Sequence, residues 1–170
     1  MADLRCKYLG LELKNPVVAG ASALTKNIQT IKRIEEAGAA ALVITSLFEE
    51  QVQLSNYQLD EALQANDDSF AEMTSMFPSV EHAGPQDHLM WVKRAKEAVD
   101  IPVIASLNAV NKETWIEYAK KLEDTGVDAL ELNFYSLPLD FDRDAAAVET
   151  DQIEILANIK KSVKIPISVK

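Results

Sequence analysis

The sequence predicts an α/β fold in which parallel strands are covered by helices. Three observations carry this expectation. Short runs rich in β-branched residues alternate with longer segments of helical periodicity. The short runs are near-continuously apolar, as strands buried on both faces are. Two strand-entry phrases also recur in alternation along the chain.

The strand candidates span residues 16–19, 41–45, 102–106, 129–133 and 166–169. Between the first two, Ile28, Ile31, Ile34 and Ala37 form one apolar stripe, with Lys32, Arg33, Glu35 and Glu36 around it. Leu89, Val92 and Ala95 predict a helix running to about residue 99 and opened by Asp87. Trp115, Ala119 and Leu122 repeat the pattern after Asn111, a good N-cap. Ile153, Leu156, Ile159 and Val163 do so after Thr150, another good cap.

The recurring phrases organise these units. Glu36-Ala37-Gly38 before Ala41-Leu42 matches Asp124-Thr125-Gly126 before Ala129-Leu130, each a helix ending at a left-handed glycine. Val99-Asp100-Ile101-Pro102-Val103 matches Val163-Lys164-Ile165-Pro166-Ile167, where proline stops the helix and opens the strand. Strand entry therefore alternates between a glycine and a proline type, as expected if odd and even strands of a (β/α)8 TIM barrel fill alternate layers. A doubly wound sheet is the competing arrangement, and it loses ground because no G-x-G-x-x-G follows the first strand.

Size makes the barrel a partial one. The chain has 170 residues, whereas a whole barrel takes about 250. Five strands fit, and Lys170 ends the sequence directly after the fifth without a covering helix. The expectation is one domain over 1–170 that forms the amino-terminal part of a barrel. It is completed by a missing carboxyl-terminal half or by association into a homo-oligomer, because open sheet edges recruit other strands. Residues 49–86 break the rhythm as an inserted acidic, lid-like segment far longer than an ordinary βα loop. Leu59 with Leu63, and Phe70, Met73 with Phe77, suggest short amphipathic helices there. The insertion follows the second strand and so belongs to the face where barrel enzymes build their sites.

Composition narrows the partners. With 17 Lys+Arg against 27 Asp+Glu, the net charge of -10 repels nucleic acid and anionic membranes. Cys6 alone makes neither a disulfide nor a thiolate zinc site. The first residues carry no secretory h-region, and no apolar run approaches the length of a membrane span, so a cytoplasmic protein is expected.

The carboxyl ends of the strands collect polar groups: Gly20-Ala21-Ser22, Thr45-Ser46, Ser106 with Asn108, Asn133 through Ser136, and Lys170. Amides and hydroxyls both donate and accept, which suits a polar heterocycle with mixed edges. Ala19, Gly20 and Ala21 are small enough to let a flat ring approach the backbone. No acidic pair stands at these ends, which disfavours glycosidase and metal-hydrolase chemistry. Lys170 is suited to stabilising an anion or to forming a Schiff base. His82 and His88 read as loop histidines, Trp91 and Trp115 as helix–sheet packing, Cys6 as a quiet thiol, and the acidic runs as solvated faces.

Four segments in order carry a family resemblance: Leu9-Gly10-Leu11-Glu12-Leu13-Lys14-Asn15-Pro16, Ala19-Gly20-Ala21-Ser22, Glu131-Leu132-Asn133-Phe134-Tyr135-Ser136, and Ile167-Ser168-Val169-Lys170. Together the chain resembles the amino-terminal half of the FMN-binding barrel of the dihydroorotate dehydrogenase family. The resemblance implies a small hairpin beneath the barrel, with the Leu13–Pro16 phrase leading into strand one. It implies FMN as cofactor, with Ala19, Gly20, Ala21, Ser22, Ser46, Asn108 and Asn133 around the flavin. Lys170 is implied near flavin N1 and O2, where reduction builds negative charge. Ser136 takes the position of the catalytic base, which removes a proton beside a carbonyl while hydride passes to the flavin.

The chain departs from the family pattern at three places. After the base it reads Leu137-Pro138 instead of Pro-Asn, after strand two Thr45-Ser46 instead of Thr-Lys, and Met73-Thr74-Ser75-Met76-Phe77-Pro78 replaces the loop that grips the substrate carboxylate. The flavin-facing half of the pattern is thus kept better than the orotate-facing half. The flavin phosphate is implied near strands seven and eight, which this chain lacks. The function expected is oxidation of a small molecule across a CH–CH bond, with a Schiff-base lyase using Lys170 and a non-catalytic barrel fragment as alternatives.

Overall fold

The computed structural model describes residues 2–49, 85–109, 111–135 and 144–170. Nearly all of the inserted segment, His82 and Ser136 lie outside the described residues. The chain opens with an antiparallel hairpin, β1 (Cys6–Tyr8) and β2 (Leu11–Leu13), turned through Leu9 and Gly10. Both turn residues have positive φ, 52° and 77°. This is the two-residue geometry whose twist matches that of its flanking strands. The hairpin ends at Leu13, and Lys14-Asn15-Pro16 leads on to the first sheet strand, as the resemblance implied.

The main sheet follows: β3 (Val18–Ala19), β4 (Ala41–Val43), β5 (Leu47–Phe48), β6 (Val103–Asn108), β7 (Ala129–Leu132) and β8 (Ile167–Val169). Every pairing is parallel, and the order β3-β4-β6-β7-β8, with β5 extending alongside β6, is the order of the sequence. A doubly wound sheet reverses its strand order part-way. No reversal occurs among the described strands, and that competing arrangement is excluded.

Among the described residues four helices join the strands: α1 (Ile28–Glu36), α2 (Pro85–Ala98), α3 (Lys112–Glu123) and α4 (Ala145–Ser162). Each packs on the next in chain order. The left-handed glycines Gly38 (φ 99°) and Gly126 (φ 86°) stand where the sequence placed them, one residue beyond the C-cap Ala37 and two beyond the C-cap Asp124. Two cap assignments need correction. The α4 N-cap is Asp144, whose side chain accepts from the Ala147 amide; Thr150 lies inside the helix and donates its hydroxyl to the Ala146 carbonyl. Asn111 does precede α3, but its side chain makes no capping bond, because it donates to Glu49 instead.

Pairing register divides the sheet into two faces. On one, Leu42, Ile44, Val103, Ala105, Leu107, Leu130 and Leu132 are buried beneath the helices with Ile31, Val92, Ala95, Leu122 and Ile159. Trp115 is wholly buried there, its ring 5.0 Å from that of Phe134 and tilted by 58°. Trp91 packs against the same cluster, whereas Ile153, predicted in the α4 stripe, is exposed and Ile155 packs inward in its place. On the other face, Val43, Ile104 and Ala129 form a small cluster covered by Leu9 and Leu11 of the hairpin. The hairpin therefore plugs the amino-terminal end of the inner face. Cys6 takes part in this plug, a free thiol packed beside Leu13, Ala40 and Ala41.

Acidic side chains read as solvated are structural at this same end. Glu35 Oε1 accepts from the amides of Asp100 (2.8 Å) and Ile101 (3.0 Å), and Glu123 Oε1 accepts from those of Lys164 (2.6 Å) and Ile165 (3.1 Å). Each glutamate lies three residues before a left-handed glycine, and the turns they clamp enter β6 (Glu35) and β8 (Glu123). Asp128 accepts from the Val103 amide and pairs with Lys96, both at 2.7 Å, and Asn15 donates to the Gly38 carbonyl at 2.9 Å.

Removing the Glu123 carboxylate leaves two amides without their acceptor, so Glu123→Ala should lower unfolding free energy by about 1–2 kcal/mol. Urea denaturation followed by circular dichroism measures this, and Glu123→Gln should recover part of the loss. A second expectation concerns His88, which sits on α2 and not in a loop. Burial pushes its imidazole down from the usual 6.5 to about 4, and its Nε2 has no hydrogen-bond partner. Between those values the unfolded chain binds a proton that the folded chain refuses. Stability is then greatest above about pH 6.5 and falls progressively toward about pH 4. His88→Leu should flatten the urea midpoint across that window.

Candidate active site

The strand ends opposite the plugged end hold the candidate site. Ser106 pairs with Glu131, and Glu131 with Ser168, so these three share the inner face on adjacent strands. The next inward residue on each strand is Asn108, Asn133 and Lys170. Their alignment is held by backbone bonds from the Asn133 amide to the Leu107 carbonyl and from the Lys170 amide to the Leu132 carbonyl, both 2.9 Å. Two carboxamides and an ammonium, expected together at the strand ends, therefore stand in one row along the rim. Gly20 opens the same side at β3, and a Cβ built there would meet nothing within 4 Å.

Ser46 reaches this face through an irregularity. Val43 pairs with Ile104 and Leu47 with Leu107, so one residue more lies between Val43 and Leu47 than on the partner strand. The extra residue behaves as a bulge and re-aims the chain. Thr45 turns away and donates to the Ser22 carbonyl at 2.9 Å, while Ser46 Oγ lies 2.7 Å from Ser106 Oγ. Thr25, completely buried, also donates to the Ser22 carbonyl at 3.0 Å within the loop after β3, and the Thr45 bond ties that loop to the segment after β4. Ser22 Oγ accepts from the Leu24 amide, closing the 3-10 turn Ala23–Lys26. Ala19 packs toward the helix-covered face, and Ala21 is exposed beside Ser22.

Two acidic residues that sequence reasoning passed over belong to the site. Glu131 is the charged residue within the otherwise apolar β7, its side chain only 17% exposed. Ser106 donates to Glu131 Oε1 at 3.3 Å, and Lys170 Nζ lies 3.4 Å from the same oxygen. A charge at the centre of an apolar strand was the sequence signal available for it. Glu49, almost fully buried at the end of β5, accepts from both the backbone and the side-chain amide of Asn111, the former at 2.9 Å. Nothing in the sequence marked Glu49 apart from the acidic run around it.

In chemical terms the rim offers carboxamides, hydroxyls and a cation on one face, open at Gly20. That donor set suits a flat heterocycle with donor and acceptor edges and a site of developing negative charge. Among the described residues no cluster of His, Cys, Asp or Glu could hold a metal ion, and no helix is long and apolar enough to cross a membrane.

The chain is similar along its length to known proteins. The catalytic subunit of dihydroorotate dehydrogenase B (NAD(+)) from Thermoplasma volcanium is 31% identical over 176 residues, covering 100% of this chain and 54% of the relative. The Thermoplasma acidophilum and Methanocaldococcus jannaschii proteins of the same name are 26% and 25% identical. The chain thus spans about half the length of the curated relatives it matches, and its resemblance to the dihydroorotate dehydrogenase family is shown along its whole length. No family model matches the sequence. Among solved structures, a dihydrodipicolinate synthase from Bacillus anthracis superposes with a TM-score of 0.54 at 16% identity, over 90% of this chain and 44% of that one. A second, from Agrobacterium tumefaciens, gives 0.53 at 11% identity. These likenesses concern the fold.

Because Glu49 joins the end of β5 to the start of α3, Glu49→Ala should lower stability by about 1–3 kcal/mol, as loss of a buried charged acceptor does. The drop in thermal midpoint measures it, and an unchanged midpoint would show that the contact carries no weight.

Proposed function

We propose that this chain forms the amino-terminal part of an FMN-dependent oxidoreductase of the dihydroorotate dehydrogenase type, acting on a CH–CH bond. The observation that carries the reading is the row Asn108, Asn133 and Lys170 on one face, in a chain similar throughout to dihydroorotate dehydrogenase B catalytic subunits. The sequential parallel winding and the fold likeness support a (β/α)8 barrel of which β3, β4, β6, β7 and β8 are the first five strands. This reading takes 1–170 as a single domain, and the inserted segment 49–86 lies almost wholly outside the described residues.

In this reading Gly20, Ala21, Ser22 and Ser46 line the approach to a flavin, and Asn108 and Asn133 hydrogen-bond its polar edge. Bound FMN supplies the acceptor for a hydride equivalent from the substrate. Lys170 contributes positive charge where the reduced ring becomes anionic, an electrostatic effect that is strongest in a water-excluded site. Ser136 stands in the base position and takes the proton beside the substrate carbonyl. A serine hydroxyl is a weak base and needs a neighbouring acceptor for its own proton.

The relatives' description as catalytic subunits of an NAD(+) enzyme supports a second subunit as partner and nicotinamide as final acceptor. The net charge of -10 and the absence of a spanning helix among the described residues support a cytoplasmic location.

Titrating FMN with the protein should quench flavin fluorescence, and Lys170→Met or Asn133→Ala should each weaken binding about tenfold, as loss of a charged or buried hydrogen bond does. Dihydroorotate added to the loaded protein should bleach the visible flavin band. Absence of quenching overturns the reading, and borohydride trapping of a carbonyl compound on Lys170 would replace it with the lyase.

A further inference from the structure

A hydrogen-bonded chain crosses the inner face of the sheet just beneath the rim. It runs from Ser46, beyond β4, through Ser106 on β6 to Glu131 on β7, and meets Lys170 after β8. Its polarity follows from proton counting. Ser106 has one hydroxyl proton and gives it to Glu131, so the 2.7 Å contact with Ser46 is made by the Ser46 proton. Both hydroxyl protons therefore point toward the carboxylate, and the ammonium approaches from the other side.

Ser106 is completely buried and Ser46 nearly so, so this network has little water to compete with it. Lys170 differs. Its side chain is 59% exposed and long enough to sweep a wide arc, and the carboxylate beside it is its one ion-pair partner among the described residues. Without that partner nothing described in the structure selects one ammonium position over another. Both contacts on Glu131 fall on Oε1, which puts the fixed end of the chain and the mobile cation on a single oxygen.

We propose that Glu131 is the positioning residue for Lys170: held by the Ser46–Ser106 chain, its carboxylate sets where the ammonium sits and offsets part of its charge at the rim. The flavin arm of the test rests on the function proposed above, whereas the placement of Lys170 does not. Removing the carboxylate charge frees the cation and makes the rim more positive. Removing the Ser106 hydroxyl loosens the carboxylate and should have the same effect, more weakly.

Competitive acetylation by acetic anhydride, with each lysine followed by mass spectrometry, reads the first consequence in the protein without cofactor. Lys170 should react about threefold faster in Glu131→Gln, the scale of a half-exposed ion pair, with Lys160 on α4 as internal reference. Ser106→Ala, which keeps the charge, should give a smaller rise and serves if the first variant folds poorly. Unchanged Lys170 reactivity in both variants overturns the proposal. In FMN-loaded protein, Glu131→Gln should raise the flavin midpoint potential and Lys170→Met should lower it. An unmoved potential in Glu131→Gln also overturns the inference. Failure of the unmodified protein to bind FMN sinks the proposed function, while the acetylation rates still decide the role of Glu131.

Discussion

Two glutamates at the amino-terminal end of the sheet hold the turns that enter two of its strands, β6 and β8. Glu35 and Glu123 each place one carboxylate oxygen on two successive backbone amides of a turn that precedes a proline and then a strand. A turn ending in Ile-Pro exposes amides with no helical or ladder partner, because proline breaks the helix and supplies no donor of its own. The carboxylate satisfies both amides and fixes where the following strand begins. Starting points determine register, and in a parallel sheet register determines which side chains arrive together at the far end.

The consequence appears about 15–25 Å away along the strands, at a rise of about 3.3 Å per residue. Asn108, Asn133 and Lys170 form a row because β6, β7 and β8 start in step. A one-residue slip would turn every one of them toward the helices and bring leucines to the rim. The division of labour follows. The lower inner face is closed by Leu9 and Leu11 over Val43, Ile104 and Ala129, and the upper inner face carries hydroxyls, amides and a single ion pair. On the inner face the apolar plug fills one end, and the other carries polar groups whose burial costs stability unless each is paired.

At the polar end the pairing is economical. The bulge between β4 and β5 brings Ser46 rather than Thr45 to Ser106, and Thr45 is used instead to tie down the loop after β3. Glu131 then serves as the common acceptor for a buried hydroxyl and an exposed ammonium. A half-buried carboxylate of this kind is tolerated because it is hydrogen-bonded on one side and charge-paired on the other. The same pairing explains why a lysine at the end of an apolar strand can remain oriented although more than half of its side chain is in water.

Much of this was legible in the chain itself. Five of the six described main-sheet strands (all but the short β5), the helical stripes around Ile31 and Trp115, the left-handed Gly38 and Gly126, and the proline-led entries at Pro102 and Pro166 follow from local rules of periodicity and backbone sterics. So do the rim amides and Lys170, since polar residues ending apolar strands stand out against their neighbours. What the sequence could not show was which carboxylates act and on what. Glu35, Glu49, Glu123 and Glu131 look alike among 27 acidic residues, and their partners lie 25 to 66 residues away along the chain. The bulge that chooses Ser46 over Thr45, and the strand order that excludes a doubly wound sheet, were likewise decided by tertiary structure. Each depends on a distance between segments, and a local pattern carries no record of how the chain returns to itself.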